Sequence, residues 1–583
     1  MQKICFAVCI SILLATVCAS CKKKEAVPEV IPDGVKLNPI FSSEGGVYND
    51  ALELTLSLPE GVSGVCIRYT LNGDIPDSAS EIYGETIRIN GMSDCTVVRA
   101  ALFSRNGNIL GNIVTNTYIK SRKNITTKYR IAIAADNIDL EGPDGIFTNS
   151  SMRGREWERV AHIEIFTQNG ERIISQDCGL RVFGGSSRGL EQKSLRIIAR
   201  SDAKINDGRY NGKGSFSYAL FDGRKAEGGI SKGCLLEKYD RLILRNGGND
   251  SMLSTAADPT AMTLIRDNAA NTVAGVLAPF VQVQTSEMVT VYLNGEYYGL
   301  LDMKEDINDD YFANIYGVSS KSDIVTVKSK VDTSRCCGEH VSGSECRFDN
   351  VWFYYEADEG PQSEADSFYE LCRRAAECDP VGRAALYQEL SDKIDMNNFL
   401  QYAAINLYLC NTDWPHNNIR VWRYTGRYDA SAATDEGMNI TDGKWRFALR
   451  DMDFCFGRYE CLELPELYTL SDTDTFVRTL GNYHTDVNKE GLYPDSLYLQ
   501  GLLHFCLYND EFRKEFELYC RKLCKPENTE LICNVISDCA DTVRGEIPAH
   551  ISRWAGSIDR GYNVVNWERQ IEKMLLWARE RPQ

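Results

Sequence analysis

After its first twenty residues, the sequence has no uninterrupted apolar run of about 18 residues, the length that a membrane-spanning helix needs. This absence argues against a polytopic membrane protein. Basic residues are also scarce beside acidic ones, because 64 Lys and Arg face 82 Asp and Glu and leave a formal charge of -18. That balance argues against a nucleic-acid partner and favours cationic ligands and metals. The 583 residues predict about three to four domains at roughly 150 residues each.

The first 21 residues have the order of an export signal. A lysine near the start precedes an apolar core over residues 4–17, and Ala19-Ser20-Cys21 supplies small residues for cleavage. This order resembles a bacterial lipoprotein signal, which implies a signal peptide over residues 1–20 and diacylation of Cys21. We therefore expect an exported protein that is lipid-anchored to the bacterial cell envelope, with residues 21–34 as a tether. Plain secretion is the alternative.

Cysteine is abundant, with 21 residues, of which four lie in the export segment and 17 in the body of the chain. An odd number of cysteines cannot pair completely. Cys410, Cys455 and Cys506 lie in apolar stretches that are typical of a protein core, so we expect a mixture of disulfides and buried thiols. The three cysteines and one histidine within residues 336–346 are possible zinc ligands. Their spacing matches no common finger, which favours a disulfide-pinned loop.

Residues 35–119 consist of short runs of alternating apolar and polar residues, separated by turn residues such as Asn72-Gly73-Asp74. This pattern predicts a small all-β sandwich. The run Ile67–Asp77, followed by Tyr83-Gly84 and Ile87–Ile89, resembles the chitobiase/β-hexosaminidase C-terminal-type module of exported bacterial proteins. The resemblance implies an accessory role with a glycan as a possible partner. A spacer without a ligand is the alternative.

The remainder of the chain mixes strands with helices, so the predicted fold class is α+β. After a polar linker we expect one large domain over residues 127–480 and a helical C-terminal region over residues 481–583 that packs on it. Ser194–Ala199 has the composition of a strand. Met396–Leu409 has the pattern of an apolar helix, with Asp395 as its cap.

Two polar segments carry the candidate chemistry. The loop 411–418 follows the apolar helix and precedes a strand, which concentrates polar side chains between rigid elements. Protein kinases place an Asp and an Asn five residues apart in the catalytic loop and a further Asp on the next hairpin. Asp413 and Asn418 have that spacing, and Asp451 and Asp453 follow the next predicted strand. The pattern is consistent with phosphoryl transfer with a divalent metal. Capping and turn roles for these residues are the alternative.

Several further blocks occur in chain order, at residues 154–159, 184–188, 192–194, 244–250, 266–267, 292–299 and at Glu305. Together with the two polar segments, they resemble the CotH family, the spore-coat-type atypical protein kinases. The resemblance covers several independent motifs over more than half of the chain. It implies a divergent two-lobed protein-kinase-like domain that uses ATP with Mg²⁺ or Mn²⁺.

The resemblance also implies roles for individual residues. Asp413 would be the catalytic acid that orients the acceptor hydroxyl. Asn418 and Asp451 would ligate the metal, and Asp453 and Asn417 would be supporting ligands. Asp451 is preferred over Asp453 because it matches the first acid of the family's paired-Asp motif.

A turn between two strands would cover the nucleotide phosphates with its backbone N–H groups. The turn consists of Gly184, Gly185, Ser186, Ser187 and Arg188. Arg188 and Lys193 would add positive charge, and Glu305 would orient a basic residue through an ion pair. The sequence has no Gly-x-Gly-x-x-Gly at this turn, so the nucleotide clamp cannot be taken from ordinary kinases.

The expected function is an exported atypical kinase that transfers the γ-phosphoryl group of ATP to a hydroxyl of a protein acceptor. Expected partners are a nucleotide, a protein acceptor, a glycan through the β-sandwich and a membrane through Cys21, but no nucleic acid. The alternative is a catalytically inactive cell-surface scaffold that binds glycan or protein. Gly185–Gly189 also has the spacing of a hydrolase nucleophile elbow, but a predicted strand follows it where that motif needs a helix.

Overall fold

The computed structural model describes residues 28–89, 94–201, 210–228, 231–253, 261–318, 320–332, 352–415, 417–430, 434, 437–457, 496–558 and 561–581. The predicted signal peptide, Cys21 and the cysteine-rich segment 336–346 lie outside these residues. Among the described residues, no helix is both long and apolar enough to cross a membrane.

The N-terminal unit is built from short strands. They are β1 (Ile40–Phe41), β2 (Gly46–Tyr48), β3 (Leu52–Leu54), β4 (Leu56–Ser57), β5 (Cys66–Thr70), β6 (Glu81–Ile82), β7 (Ile87–Ile89), β8 (Cys95–Phe103) and β9 (Ile109–Lys120). The main sheet has the order β2-β9-β8-β5-β6, and β3-β7 and β1-β4 form two small sheets beside it. Val98, Ala100 and Leu102 alternate along β8 and are fully buried between the sheets. The predicted β-rich module is therefore present.

The second unit is a closed barrel with the strand order β10-β11-β12-β13-β16-β18-β17. The strands of this region are β10 (Tyr129–Ala135), β11 (Arg159–Thr167), β12 (Arg172–Phe183), β13 (Ser194–Ala199), β14 (Phe216–Ser217), β15 (Lys238–Tyr239), β16 (Arg241–Arg245), β17 (Ser286–Leu293) and β18 (Glu296–Glu305). The helices are α1 (Asn137–Glu141), α2 (Arg266–Leu277) and α3 (Asp309–Tyr316). A parallel pairing of β10 with β17 closes the barrel. The predicted strand Ser194–Ala199 is confirmed.

The third part combines a second sheet with most of the helices. Its strands are β19 (Ile324–Asp332), β20 (Trp352–Glu359), β21 (Arg420–Tyr424) and β22 (Arg446–Ala448), in the order β20-β19-β21-β22. The helices are α4 (Gln362–Ala376), α5 (Arg383–Lys393), α6 (Met396–Tyr408), α7 (Ser496–Leu507), α8 (Asp510–Leu523), α9 (Pro526–Arg544), α10 (Ile547–Arg553) and α11 (Val564–Glu580).

Helix α6 positions the loop that carries Asp413. Asp395 caps it, because its Oδ1 accepts a hydrogen bond of 3.0 Å from the backbone N–H of Asn398. Arg446 on β22 donates to the other oxygen of Asp395 at 3.0 Å. The cap that the sequence predicts is thus confirmed, and it also ties the start of α6 to the second sheet.

The chain is a mixed α+β protein with a β-rich N-terminal part and a helical C-terminal part, as predicted. The cysteines depart from the expectation. All thirteen that the structure describes are free thiols, and Cys410, Cys455 and Cys506 are buried as predicted. The predicted mixture with disulfides is therefore not found within the described residues.

Candidate functional site

The loop after α6 is organised around Asp413. Its Oδ2 accepts hydrogen bonds from the side-chain amides of Asn418 at 2.6 Å and Asn417 at 3.0 Å. Asn418 has a φ of 55°, in the left-handed region that asparagine tolerates better than most residues. The backbone N–H of Asp413 donates to Oδ1 of Asn411. The structure therefore brings together the predicted Asp413, Asn417 and Asn418 within one short loop.

The segment with the second pair of acids is held by Arg245 at the end of β16. The guanidinium of Arg245 donates to Asp451 Oδ1 and, at 2.9 Å, to Asp453 Oδ2. The backbone N–H of Asn249 donates to the same Asp453 oxygen at 2.8 Å. Gly248 must be glycine here, because it has a φ of 60° and a Cβ would lie 2.5 Å from Asp453 Oδ2.

The two acidic segments touch each other. The side-chain amide of Asn411 contacts Met452 Sδ at 3.4 Å, and Met452 lies between the two acids. The backbone N–H of Phe456 donates to the carbonyl of Leu409 at 3.0 Å. Asp413 and Asp451 therefore belong to neighbouring loops, as the predicted joint site requires.

A buried ionic cluster lies behind Arg245. Lys304 on β18 binds Asp267 on α2 at 2.7 Å and Asp302 at 3.4 Å, and Arg245 lies 3.6 Å from Asp267. Asp267 also accepts a hydrogen bond of 2.9 Å from the backbone N–H of Met452. The cluster therefore connects the barrel and α2 directly to the acidic segment.

The charges in this cluster support one another against the cost of burial. Burial alone would raise the pKa of Asp267, but Lys304 and Arg245 hold it below its usual value. Burial would lower the pKa of Lys304, yet Asp267 and Asp302 hold it above its usual value. Burial raises the pKa of Asp302 despite the attraction of Lys304. The sequence reasoning missed Lys304, although Asp267 was part of a recognised block.

Glu305 was predicted to orient a basic residue. The structure places its carboxylate on the other face of β18 from Lys304, where Oε2 lies 3.3 Å from Nε of Arg224. Burial raises the pKa of Glu305, and Arg224 opposes that rise. The ion pair of Glu305 is therefore with Arg224, on the side of the strand away from the cluster around Lys304.

The predicted phosphate turn, residues 184–188, lies within the turn 184–189 that follows β12, and Arg188 holds this turn from within. Its guanidinium donates to the carbonyls of Gly184 and Val182 at 2.7 Å each. It also donates to the carbonyls of Ser150 at 2.7 Å and Met152 at 2.9 Å. Four of its five N–H groups are thus used by the backbone. The hydrogen bonds of Arg188 therefore stabilise the shape of the turn. Its contact with phosphates stays a prediction.

The remaining residues of the turn differ in exposure. Gly184 has a φ of 109°, whereas Gly185 and Ser186 are exposed at the tip and Ser187 is half-buried. Lys193 turns back toward the turn, because its Nζ donates to the carbonyls of Leu190 at 2.6 Å and Arg188 at 3.0 Å. Lys193 is therefore a second structural tie of the same turn.

The predicted metal ligands can be tested against the chemistry of their donors. Asp451, Asp453 and Asn418 supply carboxylate and amide oxygens, the atoms that Mg²⁺ and Mn²⁺ prefer. Asn418 donates its amide N–H to Asp413, which leaves its carbonyl oxygen for a cation. Over the described ranges, no group of three or more Asp, Glu, His or Cys side chains could hold a metal ion. The donor atoms are thus of the type that suits such a cation, and substrate phosphates and water would have to supply its remaining ligands.

Comparison with known families agrees with this geometry. A family model described as CotH kinase protein matches residues 180–583, which is more than half of the chain. A second model, described as Chitobiase/beta-hexosaminidase C-terminal domain, matches residues 43–115. Both resemblances seen in the sequence are thereby confirmed. No curated protein matches the chain.

Proposed function

The chain belongs to the CotH kinase family, and we propose that it is an atypical kinase exported from the cytoplasm. In this proposal it transfers the γ-phosphoryl group of ATP to a hydroxyl of a protein acceptor. Family membership supports atypical kinase activity at the level of the family. The observation that carries the proposal for this chain is the contact between the Asp413 loop and the Asp451 segment, made through Asn411 and Met452.

Asp413 is the proposed catalytic residue. Its carboxylate accepts a hydrogen bond from the acceptor hydroxyl and takes the proton as the oxygen attacks the γ-phosphorus. The bond between acceptor oxygen and phosphorus forms while the bond from phosphorus to the departing ADP oxygen breaks. Asn417 and Asn418 fix the orientation of the Asp413 carboxylate through the two hydrogen bonds described above.

Asp451, Asp453 and Asn418 would hold the divalent cation. The cation, when bound, neutralises charge on the phosphate oxygens. Arg245 contacts both carboxylates and keeps them on the same side of the segment. The cation must therefore bind carboxylate oxygens that Arg245 does not contact, or Arg245 must move away from the two carboxylates when the cation binds with the nucleotide.

The pair of Lys304 and Asp267 supports the same proposal. Active protein kinases join a strand lysine to an acid on a neighbouring helix, and this ion pair positions the lysine toward the nucleotide phosphates. Here the lysine is on β18 and the acid is on α2, at 2.7 Å. We infer that Lys304 has this positioning relation to the nucleotide and that the domain is a divergent two-lobed kinase fold.

The cellular setting is also part of the proposal. The order of the first 21 residues supports export and lipidation at Cys21. The module at residues 43–115 supports a glycan as a partner of the N-terminal unit, because its family is named for carbohydrate-active enzymes. The protein would then act at the cell envelope, on an acceptor presented there.

One observation favours the alternative of an inactive scaffold that binds glycan or protein. Arg245 forms ion pairs with Asp451 and Asp453, which are two of the three proposed metal ligands. An arginine in this position could replace the metal and hold the loops together without it. The two functions differ in whether ATP binding requires a metal.

The deciding experiment is calorimetric titration of the full-length protein with ATP, with and without Mn²⁺ or Mg²⁺. We expect metal-dependent binding that Asp451→Asn weakens roughly tenfold or more, because it removes a metal-ligating carboxylate. Asp413→Asn is the matched control, since Asp413 faces the acceptor and its loss should leave ATP binding within about twofold. Absence of ATP binding under either metal would favour the scaffold.

A further inference from the structure

A small cavity of about 110 Å³ lies beside the 184–189 turn and is lined by arginine. Arg153, Arg181, Arg188 and Arg196 all contribute to its wall, together with Trp157 and Asn149. Among the described residues that line it there is no acidic side chain. This concentration of positive charge is unusual in a chain whose formal charge is -18.

The barrel itself brings two of these arginines together. Arg181 on β12 and Arg196 on β13 are direct partners in the antiparallel register. Like charges opposite one another on a sheet destabilise it unless something compensates. Glu158 lies 3.1 Å from Arg181, and Asp306 lies 3.0 Å from Arg196, so each arginine has one acid outside the cavity.

The compensation is incomplete. Glu158 also binds Arg200 at 2.8 Å and is therefore shared between two arginines. The buried Nε of Arg196 makes no hydrogen bond within the described residues. The buried Nε of Arg181 faces Glu158 at 3.1 Å but makes no well-aligned hydrogen bond with it. Burial, followed by the positive charges of Arg153, Arg196 and Arg181, lowers the pKa of Arg188 to about 10. An anion in the cavity would relieve this repulsion and supply further hydrogen-bond acceptors for the arginines.

The cavity is connected electrostatically to the proposed metal ligands. Arg450 immediately precedes Asp451 and is repelled by Arg196 and attracted by Asp306. Arg196 thus lines the cavity and also acts on Arg450, whereas Asp306 lies outside the cavity.

We propose that the cavity lined by Arg153, Arg181, Arg188 and Arg196 binds a phosphate group. Arginine forms paired hydrogen bonds to phosphate oxygens, and the cavity offers N–H donors that the protein leaves unused. The phosphate belongs either to the nucleotide, in which case the inference rests on the proposed function, or to a phosphorylated acceptor. A pocket for the phosphate of a phosphorylated acceptor would make a compound that already carries a phosphate ester the preferred substrate.

Arg153→Met in the full-length protein tests the proposal with the least damage to the fold, because Arg153 is exposed whereas Arg181 and Arg196 have buried ion-pair partners. Arg155→Met is the matched control, since Arg155 is exposed two residues away and does not line the cavity. The probes are inorganic pyrophosphate, ATP with Mn²⁺ and phosphoserine, each titrated calorimetrically. Arg153→Met should weaken binding about fivefold or more, and Arg153→Glu further, because each removes a charged donor.

Each outcome decides something. If the Arg153 variants lose affinity for pyrophosphate and ATP alone, the cavity is assigned to the nucleotide. If they lose affinity for phosphoserine, the cavity is assigned to a phosphorylated acceptor. Unchanged affinity for all three probes in both Arg153 variants, or no binding of any probe by the unaltered protein, overturns the inference. If Asp451→Asn abolishes ATP binding while the Arg153 variants change the affinity for none of the three probes, the proposed function stands and this inference alone fails.

Discussion

The two acidic loops of the candidate site are held in different ways. The Asp413 loop is stabilised from within, because its carboxylate is bound by side chains four and five residues further along the chain. The Asp451 segment is held from outside, by Arg245, which lies more than 200 residues earlier. A local loop keeps its geometry when distant parts of the protein change. A segment held by a distant residue moves with the element that carries that residue.

This difference suggests a division of labour. In the proposed function, the Asp413 loop presents a fixed group to an acceptor, as catalysis by a positioned carboxylate requires. The Asp451 segment is joined to the barrel and to α2 through Arg245 and Asp267. The geometry of its proposed metal ligands therefore depends on how the barrel meets the rest of the protein. Substitutions in the Asp413 loop should therefore alter activity. Substitutions at the long-range joint formed by Arg245 and Asp267 should alter stability as well.

The strongest test of this comparison is Arg245→Met. We expect the free energy of unfolding to fall by about 3–5 kcal/mol, because the change leaves Asp453 buried without its charged partner and removes a neighbour of Asp267. Urea denaturation followed by circular dichroism would measure it.

Arg373→Met is the matched control for that loss. Arg373 also joins two acids, Glu370 and Glu377, but they are local and exposed on α4. We expect a change below about 1 kcal/mol for this surface pair. Equal losses in Arg373→Met and Arg245→Met would contradict the view that the distant joint carries the stability.

A second long-range joint predicts a pH dependence. His550 on α10 is fully buried and its Nδ1 accepts a hydrogen bond of 3.1 Å from the backbone N–H of Leu300 on β18. Burial lowers the pKa of His550 to about 4. Between about pH 6.5, the ordinary pKa of histidine, and about pH 4, the unfolded chain binds a proton at His550 that the folded chain does not. The contribution of His550 to stability is therefore full above about pH 6.5 and falls as the pH decreases toward 4, by about 3 kcal/mol.

His550→Gln should flatten this dependence. We expect the difference in urea midpoint between pH 7.5 and pH 5 to shrink in the variant relative to the unaltered protein, although the variant is less stable at pH 7.5. His504→Gln is a suitable control because His504 is only half-buried on α7. A pH dependence that is the same in His550→Gln and in the unaltered protein would refute the assignment.

The same contrast explains what the sequence could predict. Asp413, Asn417 and Asn418 are close in sequence, and their five-residue spacing was sufficient to group them. Arg245 was within a recognised block, but no periodicity indicates that it reaches Asp451 across the chain. Closure of the barrel by β10 and β17 is hidden for the same reason, since strand composition does not specify a pairing between residues about 160 positions apart.

A second error of the sequence-based prediction comes from the alternation of side chains along a strand. The resemblance directed attention to Glu305, and the residue that joins the buried cluster is its neighbour Lys304. Adjacent residues of a strand point to opposite faces, so a shift of one position changes the partner completely. For Arg188 and Lys193, the sequence showed positive charge near a turn but not that the backbone carbonyls of that turn already use it.

The smallest expected change in stability sharpens the comparison most, because it separates function from folding inside the local loop. Asn418→Gly keeps the left-handed backbone, which glycine adopts freely, and removes one side-chain hydrogen bond to Asp413, so we expect a loss of about 1 kcal/mol or less. Metal-dependent ATP binding should weaken roughly tenfold, because the amide oxygen proposed as a ligand is gone. Asn417→Ala removes a hydrogen bond to the same Asp413 oxygen but no principal metal ligand, and calorimetry should show ATP affinity within about twofold of the unaltered protein. Equal weakening in both variants would mean that the loop acts on ATP only through Asp413, and Asn418 would lose its place among the metal ligands.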